Sequence, residues 1–155
     1  PNMKNLIFAC FILLGSMVNA QHADVVKDTV SFKEDAKSIE MSITLAIDSS
    51  WIVYDSIAGE DGPIPFSILL EEPSVVILEG VKKPKVYKKH DELFEMDLYY
   101  LKGTVTYVVR FSKKEANSAG VVNGSYEFMS CNSTSGVCLP PSQHTFSYVI
   151  GSALK

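Results

Sequence analysis

Two cysteines followed by two prolines carry the most specific chemistry in this 155-residue sequence. Cys131 and Cys138 are separated by Asn132-Ser133-Thr134-Ser135-Gly136-Val137, and Leu139-Pro140-Pro141 follows. The intervening residues are mostly small or polar and let the chain reverse. The two sulfurs can then meet at facing positions of a hairpin-like loop. Closing so short a ring constrains the unfolded chain by only about 2.5 kcal/mol, the low end for a structural bridge. Pro140 and Pro141 cannot donate backbone hydrogen bonds, which predicts an irregular, exposed approach to the Cys138 sulfur. Exposure matters because exchange proceeds by attack of a thiolate on a disulfide sulfur. On the residues alone two readings stand: a redox-active pair, or an inert bridge in a secreted β-sandwich binding module.

The compartment decides whether these sulfurs are oxidised at all. Met3-Lys4-Asn5 leads into the apolar stretch Leu6 to Leu14, and Val18-Asn19-Ala20 precedes Gln21. These are the parts of a secretory signal peptide. Residues 1–20 are therefore expected to be a leader with the two-residue N-terminal extension Pro1-Asn2, and Cys10 is expected to leave with it. The apolar stretch is too short for a comfortable membrane span, so none is expected in the mature chain. In an oxidising compartment two cysteines at short separation form a disulfide by default.

Loss of Lys4 with the leader leaves 13 of the 14 basic residues against 18 acidic ones, a formal charge of about -5. That balance argues against nucleic acid, since phosphate binding wants clustered Lys and Arg. His22, His90 and His144 are scattered, and two mature cysteines offer no zinc-ligand spacing, so neither a metal nor a bound cofactor is expected.

The elements that must hold the cysteines read as strands. Ile39, Met41, Ile43, Leu45 and Ile47 recur at every second position, the period that puts one face of a strand in a core. Trp51 to Tyr54 continues in β-rich residues. Gly59 to Pro65 then breaks regular structure through its glycines and prolines. Further apolar runs lie at Phe66 to Leu70, Val75 to Leu78, Phe94 to Tyr100, Val105 to Phe111, Val121 to Met129 and Phe146 to Ile150, each bounded by turn-forming or charged clusters. No segment sustains a helical period. Seven to nine short strands in one domain from residue 24 to residue 155 predict an all-β, immunoglobulin-like antiparallel β-sandwich.

Three stretches carry a family resemblance. Tyr126-Glu127-Phe128-Met129-Ser130-Cys131 through Cys138-Leu139-Pro140-Pro141 resembles the active-site hairpin of the N-terminal periplasmic domain of the thiol:disulfide interchange protein DsbD family. Trp51-Ile52-Val53-Tyr54 with Gly62-Pro63-Ile64-Pro65 is similar to that family as well, and His90-Asp91-Glu92-Leu93-Phe94 resembles its acidic-aromatic cap loop. The C-x6-C spacing is one residue longer than in the best-known members.

The resemblance implies an exported, bacterial periplasmic domain of protein-disulfide reductase type. Such a domain acts with a partner: it takes electrons from a thioredoxin-like donor and hands them to exported thiol proteins. By the same resemblance Cys138 forms the mixed disulfide and Cys131 resolves it. Phe94 caps the disulfide with Asp91 and Glu92 beside it, and Tyr54 lines the site. Without the resemblance, Phe94 and Tyr54 read as sandwich core, and Asp91 and Glu92 as a solvated turn of mixed charge. No Lys or Arg is near either cysteine in sequence, and an apolar cap disfavours a charged sulfur, so thiol pKa values that are not lowered are expected.

Overall fold

A computed structural model describes residues 24–57, 59, 61–92, 95–115 and 119–152. The expected leader, Cys10, His22 and Phe94 lie outside the described residues. The strands are β1 (Val26–Glu34), β2 (Ser38–Ile47), β3 (Trp51–Ile57), β4 (Ser67–Leu70), β5 (Val76–Lys82), β6 (Tyr87–Asp91), β7 (Met96–Leu101), β8 (Thr104–Lys113), β9 (Val121–Phe128), β10 (Ser130–Asn132) and β11 (Ser142–Val149).

The isoleucine-rich alternation becomes β2, the second strand of a sheet ordered β1-β2-β8-β5. Ile39, Met41, Ile43 and Leu45 are fully buried. Three of them stand opposite large inward residues of β8: Ile39 faces Phe111, Met41 faces Val109 and Ile43 faces Tyr107. A second sheet, β11-β9-β4, contributes Val122, Tyr126, Phe128, Phe146 and Tyr148 to the same core. Each such side chain, taken fully out of water, contributes about 1.5–3 kcal/mol. The third sheet, β10-β3-β7-β6, adds Val53 and Leu101 to this core. All pairings between these strands are antiparallel. The architecture is an immunoglobulin-like β-sandwich.

Each apolar run contains a strand, and the described residues hold eleven strand segments in place of seven to nine. The additional ones are β1, β6 and β10, and their sequences hide them for physical reasons. In β1 the inward positions are Val26, Asp28, Val30, Phe32 and Glu34, opposite Ile47, Leu45, Ile43, Met41 and Ile39, so two carboxylates interrupt the apolar period. The interior satisfies both. Asp28 accepts a hydrogen bond from the Tyr126 hydroxyl. Glu34 accepts from Lys113 Nζ at 2.7 Å, Tyr148 Oη at 2.8 Å and the Gly151 amide at 2.8 Å. β6 is lysine-rich and reads as a turn, yet it pairs with β7 from Tyr87 to Asp91.

Among the described residues no helix is long and apolar enough to cross a membrane.

Candidate functional site

β10 is three residues long and pairs with β3, placing Ser130 opposite Val53, Cys131 opposite Ile52 and Asn132 opposite Trp51. After Asn132 the chain reverses on a turn built by its own side chains. Asn132 Oδ1 accepts from the amides of Thr134 at 3.0 Å and Ser135 at 2.9 Å. The Gly136 amide donates to the Asn132 carbonyl at 2.9 Å, and Gly136 sits at φ 73°, a conformation glycine adopts without steric cost. The Ser133 amide donates to the Ser50 carbonyl at 2.8 Å and ties the turn to the loop before β3.

The return limb pairs with the outgoing one. The Asn132 amide donates to Val137 O at 2.8 Å and the Leu139 amide donates to Ser130 O at 2.9 Å. These two bonds flank Cys131 and Cys138 and make them a non-hydrogen-bonded antiparallel pair, the position where facing Cα atoms come closest. The Cα atoms are 4.0 Å apart and the sulfurs form a disulfide. The small, polar C-x6-C segment thus closes as an antiparallel bridge.

The two halves of that bridge differ in exposure. Cys131 is 2 % exposed and packs with Ile52, Tyr54 and Leu98 in a cluster of its own, joined by Ile57, Met96, Tyr100 and Met129. Cys138 is exposed, as are Val137, Pro140 and Pro141. The split originates in β3: Val53 points into the main core while Ile52 and Tyr54 build the cluster on the opposite face.

Tyr54 therefore stands in one cluster with Cys131. Lys89 Nζ lies 5.4 Å from the centre of the Tyr54 ring, so a cation absent from the sequence neighbourhood of the cysteines reaches their cluster from across the sheet. Asp91 ends β6 and is partly buried, with its carboxylate 3.8 Å from Lys89 Nζ. Glu92 is exposed in the turn that follows. The expected cap position of Phe94 is outside the described residues. No group of three or more His, Cys, Asp or Glu side chains among the described residues is placed to hold a metal.

Beneath the site the sequence reading missed Asp55. It sits at an irregularity where β3 shifts register against β7 between Tyr54 and Ser56. It is 4 % exposed and accepts from Tyr107 Oη at 2.6 Å, Lys83 Nζ at 2.9 Å and Ser56 Oγ at 3.0 Å. Burial pushes its pKa up, but the bonds from Tyr107, Lys83 and Ser56 outweigh burial and hold the carboxyl below its ordinary value. Burial, with Asp55 as acceptor, pushes Tyr107 far up. The available signal was an aspartate inside an otherwise apolar strand, which demands buried partners.

A sandwich of antiparallel sheets, with a cross-strand disulfide at one sheet edge that buries one cysteine and exposes the other, defines an immunoglobulin-like disulfide domain. Residues 21–150 match the family "Thiol:disulfide interchange protein DsbD, N-terminal", and the chain belongs to it. Among solved structures it is similar to the reduced N-terminal domain of DsbD from Neisseria meningitidis, with 16% identity and a TM-score of 0.50 over 79% of this chain and 89% of that one. It is also similar to a structure of the complex between the DsbD and PilB N-terminal domains of the same organism, with 13% identity and a TM-score of 0.53 over 85% of this chain and 87% of that one. The N-terminal periplasmic domain of ScsB from Proteus mirabilis shares 14% identity and a TM-score of 0.51, over 83% of this chain and 49% of that one. At these identities the likeness is one of fold. Among curated proteins none matches the chain.

Proposed function

We propose that the chain is an exported thiol-disulfide exchange domain of the bacterial periplasm that shuttles reducing equivalents between thioredoxin-fold partners through Cys131 and Cys138. The observation that carries this reading is the unequal exposure of the bonded pair, buried at Cys131 and open at Cys138. Membership of the interchange family supports it.

The chemistry balances without a cofactor. A thiolate of a reduced thioredoxin-like donor attacks Cys138 Sγ, forms the mixed disulfide and displaces the Cys131 sulfur, which takes up a proton. The donor's second thiol then attacks its own sulfur in the mixed disulfide and releases Cys138, leaving the donor oxidised and this domain as a dithiol. Toward an oxidised acceptor the sequence reverses: Cys138 attacks, Cys131 resolves, and two electrons pass on. Tyr54 lines the buried side of the pair, and Asp91, Glu92 and Phe94 supply the cap.

A Cys131→Ser variant is expected to accumulate a mixed disulfide through Cys138 when mixed with an oxidised thioredoxin-fold protein, because the resolving sulfur is missing. Cys138→Ser is expected to accumulate none. Non-reducing electrophoresis and mass spectrometry read both. An inert bridge in a binding module would instead trap no partner and show a reduction potential below about -300 mV, and that pair of results would overturn the reading.

A further inference from the structure

Five of the chain's fourteen basic residues lie between positions 82 and 89 of a sequence whose net charge is -4. Acids answer three of them: Lys83 pairs with Asp55, Lys88 with Asp97, and Lys89 lies near Asp91. Lys85 behaves differently. Its Nζ lies 5.2 Å from the centre of the Tyr87 ring, and Lys102 Nζ approaches the same ring at 4.3 Å. Both lysines are exposed and neither is in an ion pair among the described residues. Two ammonium groups converging on one edge tyrosine form a local positive site, since the ring face attracts cations.

The register puts this site on the same face as the disulfide. Tyr87 stands opposite Tyr100, and Tyr100 opposite Tyr54. Tyr87 stacks on Tyr100 with ring centres 5.7 Å apart, and Tyr100 packs against the cluster that holds Tyr54 and Cys131. Lys102 directly follows Leu101, the partner of Val53, and Cys131 is the partner of Ile52, so the lysines stand at the end of the sheet where the cysteines stand. Three strand spacings separate β10 from β6, about 14 Å. A partner of standard interface size covers about 800 Å² of each protein. Cys138 lies on the return limb outside β10, its Cα 4.0 Å from that of Cys131, so a partner spread over Cys138 and the adjoining Tyr54 and Tyr100 face reaches the lysines as well.

We propose that the Tyr87, Lys85 and Lys102 edge is a docking surface that selects a thioredoxin-fold partner carrying acidic residues beside its reactive cysteines. This rests on the exchange function proposed above and adds a rule for which partners react fast. The wider chain is acidic and repels an acidic partner elsewhere, so the basic edge also orients the encounter.

The test is the rate of reduction of the intact disulfide by two reduced thioredoxin-fold proteins, one with an acidic surface around its dithiol and one with those acids replaced by amides, followed by acid quench and thiol alkylation. The acidic donor is expected to react about tenfold faster at low ionic strength, and its advantage should shrink as salt screens the charges. Lys85→Glu/Lys102→Glu should abolish that advantage, Lys85→Gln/Lys102→Gln should reduce it, and all forms should converge at high salt, which a misfolded variant would not do. If the wild-type domain exchanges but the lysine variants keep the full preference, the docking proposal is overturned while the exchange function stands. If those variants keep the preference and instead lose sedimentation with vesicles of anionic phospholipid, the edge belongs to a lipid surface and the proposal fails. If the wild-type disulfide reacts with neither donor, the exchange function itself falls, and the docking rule with it.

Discussion

Cys131 and Cys138 share one covalent bond but occupy different dielectric surroundings. Burial among Ile52, Tyr54 and Leu98 disfavours a charged sulfur at Cys131, whereas the exposed Cys138 keeps its solvation. In the dithiol form the two thiols should therefore differ in reactivity. Iodoacetamide is expected to modify Cys138 about tenfold faster than Cys131 or more, since modification needs both thiolate and access. Peptide mapping after brief alkylation of the reduced domain checks this, and equal labelling would contradict it. The cysteine pairing was legible from spacing and compartment, because a short polar segment leaves few ways to close. The open approach to Cys138 was legible in Pro140 and Pro141, but the burial of Cys131 was not, since it depends on which face of β3 the neighbouring strand meets, and that is fixed by pairing across 79 residues from Ile52 to Cys131. Lys89 was hidden for the same reason: it reaches Tyr54 only through the β6–β7–β3 register.

At the scale of elements, the strands with an apolar run were readable, even β5, which buries only Val76, and those whose period polar residues interrupt were missed. β2 shows an unbroken period of two, while β1 carries Asp28 and Glu34 at inward positions and β6 spends its polar face on Lys88 and His90 around Asp97. β9 offers a sharper constraint. Gly124 pairs with Leu70 on one side and Phe146 on the other. A Cβ there would stand 2.5 Å from the Leu69 carbonyl oxygen and closer still to the Phe146 ring, so backbone and aromatic ring must both move. Gly124→Ala is expected to destabilise the domain by about 1–3 kcal/mol, the usual cost of overpacking. Urea denaturation measures the effect. A variant as stable as the parent would mean that β4 shifts outward without loss. Lys85, exposed, tolerates a change to Gln on the same assay, which separates the packing of the β4–β9–β11 sheet from the docking edge of β6.

Across the whole molecule, buried acids linked to distant strands set the pH range of stability. Glu34 of β1 meets Lys113 of β8 in an ion pair with side-chain exposures of 1% and 5%, and Tyr148 and Gly151 complete its shell. Burial pushes its pKa up, but Lys113, the Gly151 amide and Tyr148 outweigh burial and hold it below its ordinary value. Asp55 is held down in the same way by Tyr107 and Lys83, and the exposed Asp35 lies at about 2, chiefly through its bond from the Ser38 hydroxyl. A carboxyl whose folded pKa is below its unfolded one stabilises fully above the unfolded value. That contribution is lost as pH falls through the folded value. The tyrosines act in the opposite sense. Burial and the neighbouring carboxylates raise Tyr107 and Tyr126, so their contribution is present below the ordinary tyrosine pKa, about 10, and fades above it. Tm is thus expected to be flat from about pH 5 to about pH 9, to fall steadily below about pH 4.5 and to fall again above about pH 10. Lys113→Met strands the Glu34 carboxylate in the interior and should cost about 3–5 kcal/mol near neutrality. Glu34→Gln/Lys113→Met removes both charges and should recover much of that loss while making the acid limb shallower. Calorimetry of the three proteins from pH 3 to pH 8 reads both effects. A double variant whose acid limb is as steep as the parent's would assign acid unfolding to Asp55 and the remaining carboxylates instead of the Glu34–Lys113 pair.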